Sequence, residues 1–306
     1  TWEELSGKIR AIELIKQLKE RSYYTILVDY LDNPPARSHA DLHIQESTLD
    51  KETVLSIAQE RSASLVASAC VDQANATASY VSEVLQLPLL YSYDIALAAT
   101  TKHIMKEYFL KHGIPSALFV PLVTADDCGS SAIKYPCVVK PSDSAGSKGV
   151  VIAKNHLEAV EAYHEARRIS RTSKVIMEEY MEGVEIQVDC FSVSFEAHVL
   201  MINKKNKLNF CMNTREMQSS GSVAPMKLKR ELTREIHRIA QAIVDAFQLA
   251  TTPFFFQAIV NGDSVKVIEF APRIGGGLSY RMIPIVTKFD TLRAFVNAIH
   301  GEQLQV

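Results

Sequence analysis

Two apolar runs, each opening into a stretch of small residues, constrain this chain most. Pro136-Cys137-Val138-Val139-Lys140-Pro141 leads into Ser142-Asp143-Ser144-Ala145-Gly146-Ser147-Lys148-Gly149-Val150. Val267-Ile268-Glu269-Phe270-Ala271-Pro272-Arg273 leads into Ile274-Gly275-Gly276-Gly277. Both runs have strand length, so the first sets a lysine at a strand end before a small-residue loop. The second sets a carboxylate and an arginine four residues apart beside three glycines. A lone carboxylate inside an apolar strand is costly unless it is paired or metal-bound.

The rest of the chain alternates strand-like and helix-like segments. Ile9, Ile12, Ile15 and Leu18 recur at helical spacing within 9–20. Tyr23–Tyr30 and Ser64–Cys70 read as strands, Asp50 as the cap of a helix through Arg61, and 72–86 as a helix ending before Pro88. A further helix, 101–112, stops at Gly113 and Pro115. Strands alternating with helices imply a parallel sheet. From residue 137 the pattern changes to short β segments at 137–140, 150–153, 174–179, 184–193 and 196–202, with helices over 155–168 and 228–247. A hairpin, 253–260 with 264–270, turns around Asn261-Gly262-Asp263. The expected division is an α/β parallel-sheet domain over 1–90 and a two-lobed α+β domain over 91–306. Its small lobe is about 116–180 and its large lobe about 185–300. The chain opens on a helix at Thr1, so a first strand is expected to precede it.

Charge and cysteine usage exclude several classes. Lysine plus arginine total 33 against 35 aspartates and glutamates, a net charge of −2 that gives no footprint for nucleic acid. No run approaches the roughly 18 apolar residues of a membrane span, and no signal-peptide pattern opens the chain. The five cysteines, Cys70, Cys128, Cys137, Cys190 and Cys211, are scattered without a C-x-x-C pair, as expected of free thiols in a reducing, cytoplasmic setting.

The two opening segments point to nucleotide chemistry. Lysine and exposed loop amides suit phosphates, and a carboxylate suits Mg²⁺, which prefers oxygen ligands and is shared with substrate phosphates. The 143–149 loop is neither G-x-x-x-x-G-K-[ST] nor G-x-G-x-x-G, so a P-loop is excluded and a plain hairpin stays open. In Val175–Glu185, the strand Val175-Ile176-Met177 runs into Glu178 and Glu179, then Tyr180, Met181 and Glu185. Solvated acids around a turn, or a strand end facing a base with an acceptor for ribose hydroxyls, both fit. Glu269 pairs with Arg273 or binds metal. Gln257 is a second oxygen donor if the hairpin loop has three residues. With two, strand alternation places it on the opposite face. Arg215 and Arg281 are candidates to grip a carboxylate bidentately, with surface solvation the alternative.

In order and spacing, Lys102, Lys140, the 143–149 loop, Glu178 to Glu185, Gln257, Glu269 and Arg273 resemble the ATP-grasp superfamily over nearly the whole chain. The resemblance implies a Rossmann-like domain before the two-lobed grasp and an ADP-forming carboxylate–amine ligase using ATP with Mg²⁺ or Mn²⁺. In it, Lys102 and Lys140 hold phosphates and Ser144, Ala145, Gly146 and Ser147 close over them. Glu178, Glu179, Tyr180 and Met181 face adenine, and Glu185 the ribose. Glu269 and Gln257 hold metal, while Arg273 stabilises the transferred phosphoryl group. Ala271 stands where many members carry a metal-ligating asparagine. Ile274–Gly277 with Ser279, Tyr280 and Arg281 resembles the amino-acid ligases, so small carboxylate and amine substrates are implied, and a homodimer is admitted. A bicarbonate-activating synthetase of the purine type and a non-catalytic ATP-binding module are the alternatives.

Overall fold

The computed structural model describes residues 2–129, 132–144, 146–207 and 219–304. In the N-terminal third, helix starts follow capping chemistry. α1 (Trp2–Glu20) precedes the short parallel pair β1 (Ile26–Val28) and β2 (Leu42–Ile44), with Ile26 opposite Leu42. α2 (Lys51–Glu60) starts where the Asp50 carboxylate accepts the Thr53 amide at 3.1 Å, satisfying a donor that the first turn leaves open. α3 (Asp72–Leu85) ends on Gln86 in the left-handed region at φ 54°. α4 (Tyr93–Thr100), which the sequence pattern does not announce, is capped by Ser92 and runs almost directly into α5 (Lys102–Lys111).

Two strand expectations are corrected here. The strand read over 23–30 shortens to β1, and Ser64–Cys70 forms no strand. Among the described residues no strand pairs with 64–70. Its alternation instead serves packing: Ala69 is buried with Leu14, Ile274, Tyr280, Leu292, Phe295 and Val296, and Ala67 and Cys70 lie against that cluster. The parallel sheet is therefore two strands wide, and the other sheets are antiparallel.

The first antiparallel sheet comprises β3 (Phe119–Leu122), β4 (Cys137–Pro141), β5 (Val151–Ala153) and β6 (Val175–Glu179), in the order β3-β6-β4-β5. α6 (His156–Ile169) covers one face, burying Ala159, Ala162, Tyr163 and Ala166 against Cys137, Val139 and Met177. The second sheet comprises β7 (Val184–Val193), β8 (Glu196–Lys207), β9 (Ser219–Val223), β10 (Thr252–Asn261) and β11 (Ser264–Ala271), in the order β11-β10-β7-β8-β9. Across it lies α7 (Arg230–Phe247), whose Leu232, Ile236, Ile239, Ile243 and Phe247 form one buried stripe against Phe254, Phe256, Val267 and Phe270. Met105 and Phe109 of α5 join the same core. α8 (Ser279–Thr287) and α9 (Thr291–Ile299) follow, and α9 packs back on α1. No helix of the described residues is long and apolar enough to cross a membrane.

The β10–β11 hairpin resolves the register question in an unanticipated way. Its loop is the two-residue Gly262-Asp263, because Asn261 pairs with Ser264. A regular ladder would then set Gln257 opposite Ile268. Instead the register shifts between Gln257 and Ala258, which pairs with Val267, so that Gln257 stands directly opposite Glu269. Ile268 is the extra residue of a β-bulge, a device that re-aims side chains where a strand nears a site.

Candidate nucleotide site

The site forms where α5 crosses between the two antiparallel sheets. On β4, Val139 faces the α6 core, and alternation turns Lys140 to the other face. There Val138 opposes Glu178 and Lys140 opposes Ile176, making Lys140 and Glu178 a diagonal cross-strand pair, Nζ to Oε2 2.9 Å. The other Glu178 oxygen, Oε1, lies 3.6 Å from Lys106 Nζ. Helical spacing makes Lys106 the neighbour of Lys102 one turn earlier on α5. Lys102 Nζ donates to the Ser144 carbonyl at 2.5 Å and lies 3.6 Å from Glu269 Oε2. Lys106 Nζ also donates to the Val267 carbonyl at 3.4 Å. One turn of one helix thus ties the 142–149 loop, β6 and β11 together.

Burial divides these charges. The Glu178 side chain is 4 % exposed and that of Glu269 32 %. Burial acts to raise the Glu178 pKa, but Lys106 and Lys140 outweigh it and hold the carboxyl below its ordinary value. Burial pushes Lys106 down to about 8, against the pull of Glu178. Two buried lysines thus hold the Glu178 carboxylate, the residue for which an adenine role is expected. Glu179, on the other face of β6, makes a half-exposed pair with Lys266 at 3.2 Å. Tyr180 and Met181 are partly buried in the strand-to-strand connection, and Glu185 is partly buried on β7 opposite Ile259. Gly183 makes this connection possible: its φ is 140°, and a Cβ there would collide with the Val260 carbonyl.

The small-residue loop joins β4 and β5 and is fastened at its base. His103 and Lys174 do this: the His103 amide donates to Ser142 Oγ at 3.2 Å and Nδ1 lies 2.7 Å from the same oxygen. Lys174 Nζ stands 3.3 Å from Nε2. Burial, with Lys174 nearby, lowers the His103 pKa, consistent with a neutral ring whose Nε2 accepts from Lys174 and whose Nδ1–H donates to Ser142. Ser144 Oγ closes the loop by donating to the Lys148 carbonyl at 2.8 Å. Gly146 and Ser147 are exposed, both with positive φ. Ala145 lies outside the described residues, as does Arg215.

On the second sheet a polar row crosses four strands. Glu269 opposes Gln257, Gln257 opposes Gln187, and Gln187 opposes Asn203. Asp189, two residues along β7 from Gln187, accepts from Gln187 Nε2 and Asn203 Nδ2, each at 2.8 Å, and from Ser279 Oγ at 3.1 Å. Burial raises the Asp189 carboxyl to about 6, against the pull of those donors. A Cβ at Gly275 would collide with Asp189 Oδ1, so glycine there lets the loop after Arg273 lie directly on this network. Glu269 and Gln257 offer one carboxylate and one amide oxygen. That small set suits Mg²⁺, which keeps waters and takes further oxygens from phosphates. Among the described residues no group of three or more His, Cys, Asp or Glu could hold a metal by itself.

Arg273 does not pair with Glu269. Its Nε and Nη2 form a fork with the two oxygens of Asp72, the Nη2 contact at 2.8 Å. Its guanidinium lies 4.9 Å from the Phe255 ring centroid. Burial works against its charge, and Asp72 more than offsets this, raising the pKa. Arg281 is exposed on α8, 5.4 Å from the ring of its neighbour Tyr280, and no hydrogen bond or ion pair among the described residues joins it to the lysines or Glu269.

Lys106, Asp72, Gln187, Asp189 and Asn203 were not singled out from the sequence. Three had a legible signal: Lys106 sits four residues after Lys102, and Gln187 and Asp189 alternate within the apolar run 184–193. The Asp72–Arg273 pair spans 201 positions and had none.

Residues 133–281 match the family model of the ATP-grasp domain. The chain carries an ATP-grasp domain. It is 24% identical over 304 residues to the formate-dependent phosphoribosylglycinamide formyltransferase of Wolinella succinogenes, covering 96% of this chain and 74% of that one. It spans about half the length of other relatives it matches. Its fold is similar to the L-amino acid ligase of Bacillus licheniformis, with TM-score 0.78, 20% identity, and coverage of 94% and 71% of the two chains. It is also similar to the biotin carboxylase domain of Hydrogenobacter thermophilus 2-oxoglutarate carboxylase, a structure in complex with Mg-ADP and bicarbonate. That match has TM-score 0.80, 18% identity, and coverage of 97% and 68%.

Proposed function

We propose that this protein is an ATP-dependent ligase that activates a carboxylate as an acyl phosphate and couples it to an amine, with an amino-acid-like substrate. The observation that carries this reading is Lys102, whose ammonium meets both the Ser144 carbonyl of the small-residue loop and the Glu269 carboxylate of β11. A triphosphate entering that junction meets Lys102 and Lys140, while Ser144 to Ser147 cover it. The base lies against the backbone of 179–181, since the Glu178 and Glu179 side chains are engaged elsewhere, and Glu185 accepts from the ribose. Glu269 and Gln257 hold Mg²⁺, which when bound neutralises phosphate charge. Arg273 stabilises the phosphoryl group as it passes to the carboxylate, after which the amine displaces phosphate. Charge stabilisation and positioning supply the acceleration, as in other phosphoryl transfers. Residues 1–90 and 91–306 are the units that meet at this site, and Arg281 reaches substrate only from the outer face of α8.

Support comes from the matched domain and from a relative and structural neighbours whose names describe ligases and synthetases. The test is Mg-ATP consumption with a panel of L-amino acids, bicarbonate and other small carboxylates, with and without amines. Glu269→Gln should cut turnover by about 10²-fold or more while leaving the melting temperature nearly unchanged, since it removes a charge that faces solvent and ligand. A variant that melts far lower and retains turnover would contradict the assignment of Glu269 as a ligand.

A further inference from the structure

Arg273 is the residue on which the proposed phosphoryl transfer depends, yet its surroundings come largely from far away in sequence. Asp72, in the first turn of α3, holds Nε and Nη2 in a fork. Nη1 donates to the carbonyl of Ile274 at 3.0 Å. Arg10 of α1, 2 % exposed, donates to the carbonyls of Ile274 and Gly275 at 3.3 and 2.5 Å. The guanidinium plane lies over Phe255, which shares a sheet face with Gln257 two residues along β10. Side chain, following backbone and ring plane are thus each fixed by a separate contact.

The fork does not exhaust the arginine. A guanidinium has five N–H donors, and three are used among the described residues. Two remain, one on each Nη, and the side-on fork with Asp72 turns the one on Nη2 to the end edge of the guanidinium. An arginine held by its side edge presents its end edge to an incoming oxyanion at fixed orientation. A flexible one would have to be ordered during the reaction, and groups preorganised where charge develops are those that contribute most.

We propose that Asp72 is a positioning residue for Arg273, assisted by Arg10 through the backbone of Ile274 and Gly275. The helices before residue 90 thereby set the geometry of phosphoryl transfer in the ATP-grasp domain. This rests on the reading of Arg273 given above. It deepens that reading by assigning to the N-terminal part of the chain a role in transition-state stabilisation distinct from binding substrate.

The test is calorimetric binding of Mg-ADP to the full chain, with and without tetrafluoroaluminate as a mimic of the group in transfer. Wild type should bind Mg-ADP more tightly when the mimic is present. Arg273→Ala should lose about 10²-fold of that gain. Asp72→Asn should lose about tenfold, the weight of one charge-assisted pair, with Mg-ADP affinity alone unchanged. Asp72→Glu, which can rebuild the fork, should recover most of it. If Asp72→Asn keeps the full gain while Arg273→Ala loses it, the positioning role is overturned and the Arg273 reading stands. If wild type shows no gain, or Arg273→Ala retains it, the Arg273 reading itself fails. Should Asp72→Asn fold poorly, the Nε–H resonance of Arg273 in wild type answers the same question. It should report a restrained guanidinium both in the free protein and with Mg-ADP and the mimic bound. A freely rotating guanidinium in the bound state would overturn the proposal.

Discussion

Glu178 and Glu269 both lie beside lysines of α5, and they are built for opposite purposes. Glu178 is buried on the small sheet between Lys140 and Lys106, at 2.9 and 3.6 Å. Glu269 is a third exposed on the large sheet, has Lys102 at 3.6 Å, and faces Gln257 across a bulge. Around Glu178 the charges satisfy one another. Around Glu269 the carboxylate is open to solvent and the Gln257 amide is partly buried, with the buried Lys102 ammonium beside them. A buried carboxylate with two lysines is a fixture that holds Lys140 in place, whereas the open one with few partners is where the proposed function puts an ion and phosphates.

The sharpest way to break this comparison is to remove Glu178. Glu178→Gln leaves two ammonium groups in a buried pocket with no opposing charge, and should cost about 3–5 kcal/mol of stability. A chemical-denaturation curve measures it. A loss as small as that expected for Glu269→Gln would erase the distinction between the two ends. Next in size is the pH dependence of Lys106. Its folded pKa is about 8 against an ordinary 10.5. Between those values the unfolded chain still binds a proton that the folded chain has released, so stability should rise with pH across that window. Below it both states are charged and the contribution is constant. The rise amounts to roughly 3 kcal/mol at most, and Lys106→Met should lack it. Equal slopes in the two proteins between pH 8 and 10 would show that Lys106 is not desolvated. The smallest effect belongs to Glu179, one residue from Glu178 on the other face of β6. Its pair with Lys266 is 40 % and 39 % exposed. Lys266→Ala should change stability by less than about 1 kcal/mol.

The same contrast marks what the sequence could reveal. Lys140, Glu269 and the glycine-bearing segments are local signals, each carried by one strand and its loop, and their order along the chain is legible. The helical stripe of α7 and the Asp50 cap are local as well. Contacts that depend on three-dimensional register were not legible. The Gln257–Glu269 alignment turns on a bulge at Ile268 that no periodicity announces. The grip on Glu178 needs the β4–β6 register and the crossing of α5 together. The Ser64–Cys70 run alternates like a strand but buries Ala69 in a cluster shared with Ile274 and Tyr280, so tertiary packing overrode local pattern.

Under the proposed function, the open carboxylate of Glu269 directs ATP cleavage to the terminal phosphate. Lys102, Lys140, Glu269 and Arg273 are read as gathering on the terminal phosphoryl group, and electrostatic stabilisation acts where charge appears. With a productive carboxylate and amine, chromatography of the nucleotide products should show ADP and inorganic phosphate formed in step with the coupled product. AMP and pyrophosphate in that stoichiometry would mean that charge develops at the α-phosphate, and would contradict both the acyl-phosphate route and the role given to Arg273.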